Sequence, residues 1–67
     1  MEAVIAEARA VLGRNSARVE DVLARVEPTP QAIEQALRAL RDRGMRLIRP
    51  EKLDEAVERM LAVLRSR

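Results

Sequence analysis

Six side chains, Gln31, Gln35, Arg38, Arg41, Arg46 and Arg49, offer the most specific chemistry in this chain. A glutamine amide pairs a donor with an acceptor and suits the edges of bases, whereas a guanidinium presents a planar fork of donors that suits phosphate oxygens. Gln31, Gln35 and Arg38 recur at helical spacing, so one helix face would carry all three. Arg41, Arg46 and Arg49 follow around the end of that helix, and Arg43 and Lys52 enlarge the cluster. Residues 38–52 carry five Arg and one Lys against two acids, a net +4, while residues 1–37 are net −2 and residues 53–67 balance. Such a patch fits the backbone of double-stranded DNA, or a surface of the transcription machinery. A second reading uses the same residues. Glu34 and Asp42 each stand four positions from Arg38, and ion pairs at that spacing would make the patch an ordinary solvated helix face.

Catalytic chemistry has little to work with. There is no His, Cys or Tyr, and Lys52 is the single lysine. Ser16 and Thr29 fall where helix caps are needed and Ser66 lies near the chain end. The carboxylate pairs Glu20 with Asp21 and Asp54 with Glu55 are adjacent in sequence, so they point apart on a helix and read as first-turn acids favoured by the macrodipole. No Gly-rich phosphate cradle, nucleophile motif or metal-ligand spacing occurs. The expectation is therefore a non-enzymatic protein with no metal and no cofactor.

Helices must position the cluster, and the punctuation for them is explicit. Thr29 is placed to cap a helix that has Pro30 at its first position and Gly44 as its stop. Ile33, Leu37 and Leu40 form its apolar stripe. Before it come a helix over Glu2–Leu12 ended by Gly13, and a second over about Ala17–Val26 capped by Asn15 or Ser16. Glu27, Pro28 and Thr29 make a stiff turn, since proline removes a donor and restricts its predecessor. Met45–Ile48 reads as a short extended linker packed on the core. Pro50 opens a last helix to about Leu64.

Together these elements predict an all-α protein: a compact four-helix domain over residues 1–67, with the first three helices helix-turn-helix-like and the fourth packed across them. With 48% hydrophobic residues and no aromatics, the core must be built from aliphatic side chains. The stripe centres assign to it Val4, Ile5 and Val11, then Val19 and Leu23, then Ile33, Leu37 and Leu40. Leu47 follows from the linker, and Leu53, Val57, Met60 and Leu64 from the last helix. No apolar run approaches the length of a membrane span, so a soluble, cytoplasmic protein is expected. Leu61 and Val63 sit at opposite edges of the broad apolar arc of the last helix, an arrangement that also admits a homodimer.

From Ala17 to Ile48, the order helix, Pro-containing turn, helix, Gly and apolar exit resembles the tri-helical helix-turn-helix core of many bacterial regulators. In those families the segment matching TPQAIEQALRALRDRGM is the recognition helix and its exit, which implies DNA contact by that helix. Gly44, Met45, Arg46, Leu47 and Ile48 also resemble the closing step of region 1.1 of the primary bacterial sigma factor. A fainter likeness is to ubiquitin-associated three-helix domains, whose Met-Gly-aromatic loop is missing. A winged regulator would follow Ile48 with a hairpin, whereas Pro50 starts a helix here, and sigma region 1.1 is usually acidic where this exit is basic. Regular caps, short loops and the lack of aromatics also match the rules of idealised design, so the alternative is a structural or de novo designed bundle with no natural ligand.

Overall fold

Gly13 sets the direction of the first half of the chain. The computed structural model describes residues 2–66. Within it, α1 (Glu2–Leu12) runs through a 3-10 turn (Gly13–Asn15) directly into α2 (Ser16–Ala24), a joined helical segment of 23 residues. At Gly13 the backbone takes φ 59°, a left-handed value that only glycine adopts without a steric cost, and the helical path bends there. The bend brings Arg9 Nη2 to 2.8 Å from Glu20 Oε1. A straight helix would hold these two residues about 16 Å apart along its axis, beyond the reach of their side chains.

This junction departs from the expected cap. Because the 3-10 turn already supplies carbonyls ahead of α2, the Ser16 N–H donates to the Gly13 carbonyl and no helix start is left open for a side chain to cap. Ser16 is instead buried, with its Oγ donating to Glu20 Oε2 at 3.0 Å. Asn15 donates from Nδ2 to the Leu47 carbonyl at 3.2 Å and so pins a distant turn.

The third helix follows the local rules closely. In α3 (Pro30–Arg43), Thr29 holds an extended backbone while its Oγ1 accepts from the Ala32 N–H at 3.2 Å, and Pro30 occupies the first turn. Gly44, at φ 72°, ends the helix with its N–H donating to the Leu40 carbonyl at 2.8 Å. The preceding helix closes at Ala24, two residues before the expected Val26. Arg25 and Val26 finish it with tightened bonds to the Val22 and Leu23 carbonyls, ahead of the backbone restriction imposed by Pro28.

Met45 to Ile48 is not the extended linker expected. The Ile48 N–H donates to the Met45 carbonyl at 3.2 Å and the two residues form an antiparallel bridge, so the chain reverses at Arg46 and Leu47. In a reversal this tight, Leu47 at its tip is carried outward. Leu47 is accordingly 58% exposed, and Ile48, at 5%, takes the core position assigned to it.

The last helix, α4 (Pro50–Arg65), packs chiefly along α1 and also against α3, while α2 lies against α1 and α3. Leu53, Val57, Met60 and Leu61 of α4 are buried, and Ala8 of α1 and Ala56 of α4 are wholly enclosed. Alanine at these positions lets side chains from neighbouring elements close without a gap. Val11 and Leu64, expected in the core, stand half-buried at its edge, as does Val63, and Ile5, also expected there, is only half-buried. The result is an all-α compact domain with a radius of gyration of 10.4 Å, close to the value of about 11 Å for a packed chain of this length.

Candidate nucleic-acid interface

The inner stripe Ile33, Leu37 and Leu40 anchors α3, and its outer face presents exposed Gln31, Gln35 and Arg38 on successive turns. Arg38 is partly neutralised there, with Nη2 at 3.0 Å from Glu34 Oε2 on the same helix. Arg41 turns away from this face and pairs with Glu58 of α4. Asp42 on α3 makes no ion pair among the described residues.

Arg46 lies within the 45–48 turn and Arg49 just after it, and the two face different surroundings. Arg46 joins Arg18 of α2 and Arg43 of α3 around an open cleft of about 320 Å³. Arg49 lines a second cleft of about 330 Å³ together with Lys52, Asn15 and Leu47. The six residues singled out in the sequence therefore divide between the outer face of α3, the α3–α4 junction and the two sides of the turn.

Charge is distributed unevenly over these places. Ion pairs join Arg9 to Glu20, Arg25 to Asp21, Arg38 to Glu34, Arg41 to Glu58 and Arg59 to Glu7 and Glu55. Lys52 stands 4.0 Å from Glu55. Among the described residues, Arg18, Arg43, Arg46 and Arg49 have no carboxylate within ion-pair distance; Arg14 and Arg65 are also unpaired but line neither cleft. Arg18, Arg43 and Arg46 gather where α2, the end of α3 and the turn approach one another, with Arg49 on the other side of the turn, so positive potential concentrates around the turn.

Arg18 is the member that the sequence reading missed. It lies twenty-five residues before Arg43 in the chain and only packing brings the two to one cleft. No local signal marks it: Asp21, three residues on, stands at ion-pair spacing in sequence but pairs with Arg25 in the fold.

Glu20 is held below the usual carboxylate range, first by the hydrogen bond from Arg9 and then by that from Ser16. The same hydrogen bond raises the Arg9 guanidinium. Among the described residues, no three His, Cys, Asp or Glu side chains gather as a metal would need, and no buried side-chain polar atom lacks a partner. Nor is any helix among them long and apolar enough to cross a membrane. Comparison with protein-family models, curated proteins and solved structures finds no match to this chain.

Proposed function

We propose that this protein is a non-catalytic binding module that contacts the backbone of double-stranded DNA, with α2, the turn at 25–29 and α3 acting as a helix-turn-helix-like unit braced by α1 and α4. The observation that carries this reading is the charge asymmetry: Arg9, Arg41 and Arg59 are paired between helices, while among the described residues Arg18, Arg43 and Arg46 stand unpaired around the cleft beside the turn and Arg49 stands unpaired on the turn's other side. Unpaired guanidiniums can be neutralised by phosphates with release of counterions, a favourable and salt-dependent step. Gln31 and Gln35 are the better candidates for base edges, because Arg38 is shared with Glu34. Glu34 and Asp42 would repel a phosphate, which places the backbone contacts at the turn rather than along the outer face of α3. Titration of a mixed-sequence duplex by fluorescence anisotropy at low and moderate salt tests this reading, and absence of binding at low salt would refute it.

A structural bundle without a ligand is the second reading. The pairing of both Arg38 and Arg41 within the chain favours it, since two of the six proposed contact residues already have partners. Surface pairs of this kind contribute little stability, so their presence argues for a solvated surface rather than for a strengthened fold.

A further inference from the structure

The cleft between α2 and α3 has a feature that phosphate contact does not require. Its lining combines three cations, Arg18, Arg43 and Arg46, with an apolar part formed by Val22, Ala36, Ala39, Leu40 and Met45. We propose that this cleft binds an aliphatic carboxylate of medium chain length, its head held by the arginines and its tail laid on the apolar part. The inference draws on three of the arginines that the nucleic-acid reading gives to phosphates, but it rests on the apolar lining beside them, which phosphate contact does not need.

Three observations select this occupant. The apolar part offers no side-chain donor or acceptor, so a polar group such as a nucleobase edge would be desolvated there without a partner, while a hydrocarbon tail would not. The three guanidiniums have no carboxylate partner among the described residues and provide forked donors for an anionic head. The volume, about 320 Å³, sits at the lower end of the range of small-ligand sites and suits a short tail better than the several anchors of a docked helix. A singly charged carboxylate also gives up less hydration on entering such a cleft than a phosphate dianion does.

The test is an amide-resolved NMR titration of the whole chain with decanoate, kept below its micelle concentration, against acetate, inorganic phosphate and decyl phosphate. Decanoate should give saturable shifts confined to Val22, Ala36, Ala39, Met45 and their neighbours, with acetate and inorganic phosphate inert at the same concentrations. Ala39→Leu, at an exposed position on the cleft wall, should fill the site and abolish saturation while leaving the arginines in place. Arg43→Gln with Arg46→Gln should weaken decanoate by about tenfold or more, the loss expected for charge-assisted hydrogen bonds. Equal shifts with acetate or phosphate would reduce the site to simple anion attraction, and tighter binding of decyl phosphate would overturn the choice of head group. Shifts spread over the whole molecule, or an Ala39→Leu variant that binds like the parent, would overturn the cleft itself.

Discussion

The Arg41 guanidinium of α3 donates from Nη1 to Glu58 Oε1 of α4, joining the two helices across seventeen residues of sequence. An arginine held there cannot also reach a partner on the outer face of α3. Arg41→Ala should therefore leave duplex affinity and its salt dependence nearly unchanged, and lower stability by no more than about 1 kcal/mol, as exposed pairs do. Anisotropy titration together with urea unfolding checks both halves. A large loss of duplex binding would mean that Arg41 exchanges its carboxylate for phosphate.

Leu37 is fully enclosed and Leu47 is mostly exposed, although both read as core residues in sequence. Leu37→Ala should cost roughly 2–5 kcal/mol, a large share of the stability of so small a domain. Leu47→Ala should change stability by less than about 0.5 kcal/mol. Thermal melts of the two variants beside the parent decide the matter, and equal losses would contradict the turn at Met45–Ile48.

Punctuation residues were legible and tertiary partners were not, for physical reasons. Thr29, Pro30 and Gly44 act on the backbone within one helical turn, so residue type alone places them, whereas Asn15 and Ser16, read as caps, bond elsewhere because the helical path runs on through Gly13. The choice between Leu47 and Ile48 depends on where the chain reverses, and at that turn the Leu47 carbonyl accepts from Asn15, thirty-two residues away. Ala8 and Ala56 lie on the apolar sides of their helices but outside the residues assigned to the core, yet close helix packing makes them fully buried. At the candidate site, Gln31, Gln35 and Arg38 share a face because helical period dictates it. Arg18 joins Arg43 and Arg46 only through packing, which no local pattern encodes.

Gly44 has a positive φ of 72° and open space where a Cβ would stand. A substitution there meets no neighbour, so its cost is backbone strain alone. Gly44→Ala should destabilise the fold by about 1–2 kcal/mol. Urea unfolding with an unchanged m-value would support this, and a neutral or stabilising result would show that the end of α3 does not need a left-handed residue.

Glu20 titrates below its ordinary value because Arg9 and Ser16 donate to its charged form. A carboxylate whose folded pKa is depressed adds stability above its unfolded pKa and loses it as pH falls through the folded value. Glu20→Gln should accordingly show a shallower loss of stability on acidification than the parent, and the two should converge at the lowest pH. Parallel urea midpoints measured from neutral to strongly acidic pH provide the check; identical slopes would mean that the Arg9–Glu20 contact is not held in solution.

The phosphate-contact proposal is tested most directly by the salt dependence of duplex binding in the parent and in the double variant Arg46→Ala, Arg49→Ala. These arginines are exposed and unpaired among the described residues, so the fold should persist and circular dichroism should match the parent. The expected result is binding by the parent that is strong at low salt, and a double variant weakened on all sequences with a log–log salt slope smaller by about two. A parent that does not bind a mixed-sequence duplex at low salt, or a variant that binds with the parental affinity and slope, would contradict it.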